Sequence, residues 1–189
     1  MSNSLSVPDS SLPPLNSPTT PVSEQFLRFH LDPDMTALLP IQHLIEVLSI
    51  PLGEIVPIFN MPAWVMGVYN WRGEILWMVD LGHLIGLTPW YQQNTSASIH
   101  RAVVLHVRSK DATSTVVKSQ MLGIVVNRVE DIEWCNPDWI QSPPASSVTP
   151  DIATFLRGYW LKSNDEMLVV LDGQAIMAAM PKSDVLADS

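Results

Sequence analysis

Cysteine occurs once in the 189 residues, at Cys135. No internal disulfide is possible, which suits a reducing compartment and excludes the disulfide-stapled secreted scaffolds. Cys135 lies between Trp134 and Asn136 with no patterned His or Cys partner, and reads as a semi-buried structural thiol. Basic residues are sparse too: ten Lys and Arg stand against nineteen Asp and Glu, for a formal net charge of −9. None of them form a stripe, which excludes neutralisation of a nucleic-acid backbone, and an anionic membrane surface would repel the chain. Long apolar runs are missing, since none approaches the ~20 residues of a membrane helix. Before Arg28 there is neither a Lys nor an Arg nor an apolar stretch of the secretory kind. The expectation is a cytosolic protein. What is plentiful is apolar material, 47% of the chain, enough for one moderate domain or two small ones with a shared core.

Proline, serine and asparagine divide the chain. Residues 1–24 carry Pro8, Pro13, Pro14, Pro18 and Pro21 and no apolar period, the composition of a disordered tail. Structure should begin near Gln25, and a flexible tail is expected at 182–189. Gln92–Ser98 reads as a loop between two halves, Lys110–Ser114 as a hairpin connection, and Gln141–Pro150 as a further loop. Between these breaks lie short, mostly β-type segments: Gln25–Leu31, Val68–Trp71, Glu74–Asp80, Ala102–Val107, Met121–Val126, Val129–Trp134, Phe155–Trp160 and Met167–Leu171. Gly73, after Arg72, supplies the positive φ of a tight two-residue hairpin. The continuous runs Ala102–Val107 and Met121–Val126 have the pattern of strands buried on both faces. Leu81–Leu87 and Asp172–Met180, closed by Pro181, are helical candidates. Ile41, Leu44, Ile45 and Leu48 follow helical spacing, yet Pro40 and Pro51 bracket them, and period alone leaves strand and helix open. So many short strands favour an all-β barrel or sandwich.

The groups that make enzymes are absent as patterns. There is no G-x-S-x-G elbow, no H-E-x-x-H and no Gly-rich phosphate loop. His100 and His106 share a strand face but stand roughly 20 Å apart, too far to hold one metal. His30, His43 and His83 are isolated and read as ordinary surface or half-buried histidines. Glu130, Asp131 and Glu133 read as a solvated strand edge rather than a pair of catalytic carboxylates. No catalytic residue, cofactor or metal is therefore expected. Seven tryptophans are more than a small core needs. Most should be core, with two or three on interaction surfaces, where tryptophan is an enriched anchor. A barrel that cages a small molecule with surface tryptophans is the alternative to a protein-binding adaptor.

Met61–Leu87 closely resembles the signature of the CheW-like family: Pro62, Trp64, Gly67, Val68, Asn70, Arg72, Gly73, Asp80 and Leu81 stand at its marked positions. Ala37–Ile41 with Ile45-Glu46-Val47, Gly123–Val126, Val129–Ile132, Leu156-Arg157-Gly158 and Leu168–Asp172 resemble further elements, in the family's order. The likeness spans about residues 25–180. Asn127, Trp71 and Trp77 depart from it, Trp71 standing where the family has Leu, and the linker after Leu87 is long.

The resemblance implies an all-β fold of two small five-stranded Src-homology-3-like barrels around a shared core, with short helices, over residues 25–181. It implies extended structure for Ile41–Leu48. It also implies an adaptor without catalytic activity, bridging the cytoplasmic tips of chemoreceptors and the regulatory domain of a CheA-type histidine kinase. Such a protein would be cytoplasmic and recruited to membrane-associated receptor arrays. Carried over position by position, the receptor-facing groove would use Leu44, Glu46, Val47, Arg72 and Ile132. There the apolar residues would receive a receptor helix, and Glu46 and Arg72 would fix its register.

Overall fold

A computed structural model describes residues 23–31, 34–51, 53–93, 98–110, 117–142 and 148–181, with the side chains of 107–110 and 117–119 excepted. Residues 1–22 and 182–189 of the two expected tails lie outside the described residues, as do 94–97, 111–116 and 143–147, which take in parts of the three expected loops. Among the described residues, ten strands form two five-stranded sheets. One holds β1 (Glu24–Leu31), β2 (Met35–Pro40), β8 (Arg128–Cys135), β9 (Leu156–Leu161) and β10 (Met167–Leu171), in the order β8-β1-β2-β10-β9. The other holds β3 (Leu44–Pro51), β4 (Val65–Trp71), β5 (Glu74–Asp80), β6 (Ile99–Lys110) and β7 (Val117–Val126), in the order β3-β6-β7-β5-β4. Each sheet curls until its ends meet. Val56, just past β3, exchanges backbone hydrogen bonds of 2.8 and 2.9 Å with Val68 of β4. Gln141, past β8, does the same with Tyr159 of β9 at 2.8 Å both ways. The result is two barrels, the second inserted between β2 and β8 of the first.

The barrels match strand for strand. Each has one antiparallel hairpin at its centre, β1–β2 or β6–β7, and one parallel pair, β10–β2 or β5–β7. Asp80 and Asp172 close the matching strands β5 and β10 and cap α1 (Leu81–Leu84) and α3 (Gly173–Ala178) by accepting from backbone amides. Their own amides donate to the carbonyls of Trp64 and Phe155 at 2.9 and 2.8 Å. A short α2 (Pro150–Ala153) completes the helices.

Period two sorts the side chains into three apolar clusters. In β6, Val103 and Leu105 face a cluster shared by both barrels, while Ala102 and Val104 face the interior of the second barrel. In β1, Leu27, Phe29 and Leu31 face the shared cluster and Phe26 the interior of the first barrel. Phe26 and Phe29 therefore do not break the strand period; both faces of β1 are buried at that end. Val169, Leu171, Ile176, Val79 and Leu81 complete the junction between the barrels.

One open reading resolves largely in favour of the strand, and two expectations need correction. The helical spacing of Ile41–Leu48 belongs to one turn of 3-10 helix, Ile41–His43, followed by a bulged strand. The register slips between Leu44 and Glu46, so Leu44 packs on the shared cluster, Ile45 is exposed, and Leu48 packs on the barrel interior. Gln92–Ser98 does not separate the halves, because it joins β5 to β6 within one sheet. The helices are shorter than expected, ending at Leu84 and Ala178.

Candidate partner-binding site

The β4–β5 turn begins with Trp71 paired to Glu74, leaving Arg72 and Gly73 as its two central residues. Both have positive φ, 53° and 86°, the pattern of a type I′ turn that matches strand twist. Asn70 Oδ1 accepts from the Gly73 amide at 3.0 Å and fixes the turn locally. Glycine takes such a backbone freely. For Arg72 the left-handed region is a strained choice, held by the hairpin around it.

Arg72 is also held by its side chain. Its Nη2 donates to Glu46 Oε2 at 2.5 Å, and the guanidinium carbon stands 4.9 Å from the centre of the Trp71 ring. The Trp71 indole N–H donates to Glu46 Oε1. One carboxylate of β3 thus gathers two donors from the neighbouring hairpin. The Arg72 side chain remains 66% exposed, with no other protein partner for its remaining donors among the described residues.

The other three predicted site residues divide. Val47 is next to Glu46 and 46% exposed. Leu44 is half-buried with its inner side on the shared cluster, so only its outer edge is open. Ile132 lies in the other barrel, on β8, and is 50% exposed. It is nonetheless the counterpart of Val47. Strand β8 edges its sheet as β3 does, Ile132 faces Leu27 as Val47 faces Val103, and both strands carry a bulge just before that pair.

A sequence model of the CheW-like domain matches residues 25–180. The chain belongs to the CheW-like family. The crystal structure of the scaffolding protein TtCheW from Thermoanaerobacter tengcongensis is similar, with a TM-score of 0.63 and 21% identity over 80% of this chain and 90% of that one. At that identity the likeness shows the fold. No curated protein sequence matches.

In this CheW-like chain most of the family signature has a structural duty. Gly67 sits where the chain at Val56 and Pro57 crosses β4, and a Cβ there would lie 2.6 Å from the Val56 carbonyl carbon. Gly158 holds the same crossing in the first barrel, 2.7 Å from the Gln141 carbonyl oxygen. Asp80, buried and 4% exposed, accepts from the amides of His83 at 3.1 Å and Trp90 at 2.8 Å. Among the signature residues, Arg72 alone combines an exposed charge with a strained backbone.

The acidic residues of β8 are not a solvated edge, apart from the exposed Asp131. Arg28, 17% exposed, reaches Glu133 at 3.2 Å and Glu166 at 2.5 Å. Its Nε lies 2.6 Å from Glu130, close enough to pair in charge though without hydrogen-bond geometry. His30 and Arg128 also meet Glu130, and Lys162 meets Glu133. Burial alone would lower the Arg28 pKa, but its bonds to Glu166 and Glu133 outweigh burial and raise it. The hydrogen bond from His30 holds the Glu130 carboxyl below its ordinary value against burial, and Lys162 does the same for Glu133. This network replaces apolar contacts at the place where the second barrel puts Val104.

Two of the seven tryptophans, Trp134 and Trp139, are exposed, at 61% and 59%. A cleft of about 160 Å³ near Asp80 and His100 is walled by Trp90 and Tyr91 and by neither of these two. Burial lowers the His100 pKa, opposed by the Asp80 charge. Burial also pushes the Cys135 thiol up to about 11, which keeps it protonated and unreactive. Among the described residues no three His, Cys, Asp or Glu side chains gather as metal ligands, and no helix is long and apolar enough to cross a membrane.

Sequence reasoning missed Trp71 as a partner of Glu46 and Arg72 and saw it only as a departure from the family. The signal was its place directly before Arg72, but which way a strand residue faces depends on a register set by distant β7 and β6.

Proposed function

We propose that this chain is a non-catalytic adaptor that couples the cytoplasmic tips of chemoreceptors to the regulatory domain of a CheA-type histidine kinase, in chemotaxis or phototaxis. It would act in the cytoplasm, gathered at membrane-associated receptor arrays. Membership of the CheW-like family supports this reading, and the single observation that carries the receptor side of it is Arg72. An exposed arginine in left-handed backbone gains little for the fold, where glycine or asparagine would sit with less strain. Such strain, held by surrounding structure, points to a contact made elsewhere.

Val47 supplies exposed apolar surface beside the charged pair, Ile132 its counterpart on β8, and Leu44 an outer edge. A receptor helix would lay apolar side chains against these residues and take register from Arg72 and Glu46. The test is reconstitution of receptor, kinase and this chain. The expected result is kinase autophosphorylation that responds to receptor only when the chain is present. Equal receptor response with and without it would contradict the proposal.

A further inference from the structure

We infer that Trp71 is a positioning residue for the Arg72 contact, holding Glu46 and Arg72 as one preset unit through its indole N–H and its ring; this rests on the receptor-coupling reading above. Trp71 is 9% exposed and packs in the interior cluster of the second barrel with Ile50, Leu76 and Met78. Its ring is therefore fixed by the core and not by the partner. A buried indole N–H needs an acceptor, and Glu46, reaching over from β3, provides it. The second oxygen of the same carboxylate takes Arg72, whose guanidinium lies against the Trp71 ring.

The consequence is pre-organisation. An exposed arginine ordinarily samples many rotamers, and ordering them on binding opposes affinity. Here one nitrogen is tied to Glu46 and the guanidinium rests on a ring the core holds still. The remaining N–H donors are left in a set geometry for oxygen acceptors, a carboxylate or the carbonyls of a helix end on the partner. Phenylalanine at this position keeps a ring but has no donor, and leaves Glu46 free to swing away.

The test uses Trp71→Phe in the full chain with a soluble cytoplasmic-tip fragment of a chemoreceptor as the probe. Calorimetric titration should show Kd weaker by about three- to tenfold, the effect of one lost charge-assisted hydrogen bond acting indirectly. The same substitution in a Glu46→Ala background, which has no acceptor for the indole N–H, should add little, because Trp71 acts through Glu46. Independently of any partner, the Trp71 indole N–H signal in a nitrogen–proton spectrum should shift on Glu46→Gln. An unchanged Kd for folded Trp71→Phe, an equal loss in both backgrounds, or an indole signal indifferent to Glu46 would each overturn the inference. If Trp71→Phe does not fold, the indole signal decides. If Arg72→Ala weakens binding and Trp71→Phe does not, the inference alone fails. If Arg72→Ala binds unchanged, the coupling reading fails and takes the inference with it.

Discussion

Gly67→Ala measures how tightly the second barrel is closed. The added methyl would meet the backbone of Val56 and Pro57, at 2.6 Å from a carbonyl carbon and 2.9 Å from a Cα, with no flexible side chain to yield. Relieving such overpacking costs about 1–3 kcal/mol. The φ of 139° adds strain of about 1–2 kcal/mol for a residue with a Cβ. Moving the two chains apart also breaks the paired hydrogen bonds between Val56 and Val68, each worth about 1 kcal/mol net. A total loss of about 4–7 kcal/mol follows, against a whole stability of roughly 5–15 kcal/mol. Gly73→Ala is the control, since nothing lies within 4 Å of its Cβ and only a φ of 86° opposes it, at about 1 kcal/mol. Urea unfolding followed by tryptophan fluorescence separates the two, and Tm should fall by about ten degrees or more for Gly67→Ala. Equal midpoints for both variants would refute closure by backbone contact at Val56.

The Arg28 network gives a pH-dependent prediction. Glu130 and Glu133 are held below their ordinary value of 4.5, so their stabilisation is complete above about pH 5 and is lost as pH falls through the folded-state values. Arg28→Met should cost about 3 kcal/mol at pH 7 by leaving three carboxylates facing one another. The gap to the parent should narrow in acid, and Tm curves that stay parallel from pH 7 to 3 would contradict this. Arg72→Asn, which suits left-handed backbone, should leave stability within about 1 kcal/mol of the parent in urea unfolding, because the exposed ion pair contributes little. Deleting residues 1–22, proline-rich and without apolar period, should leave Tm unchanged; a drop of several degrees would show that they dock.

Local features were legible in the sequence, and long-range ones were not. Glu74–Asp80 and Met167–Leu171 were bounded correctly because turn residues and buried apolar runs mark them. The Arg72-Gly73 hairpin follows from two adjacent residues. The spacing of Ile41–Leu48 left strand and helix open because a bulge moves Leu44 and Leu48 onto different cores, an event set by pairing with β6. The role of Glu133 was invisible because its partners lie 105 residues before it, at Arg28, and 29 after it, at Lys162. The duplication of the barrels was hidden as well. The recurring residues are few and far apart, Gly67 with Gly158 and Asp80 with Asp172, while many core residues differ, as Arg28 does from Val104. For the site, Glu46, Val47 and Arg72 came from family likeness, and the hydrogen bonds that join Glu46 to both Trp71 and Arg72 required the fold.

The most direct measurement is receptor-dependent kinase phosphorylation with Arg72→Glu, paired with thermal unfolding of the same protein. Charge reversal at an exposed turn should leave the fold cooperative and Tm within a few degrees, apart from mild repulsion with Glu46. Receptor-dependent stimulation should fall about ten- to hundredfold, the loss of one charge-assisted contact of about 1.5–3 kcal/mol. Binding to the kinase alone should persist. Full stimulation by folded Arg72→Glu would remove Arg72 from the receptor contact, and lost stimulation with a collapsed Tm would make it a structural residue instead.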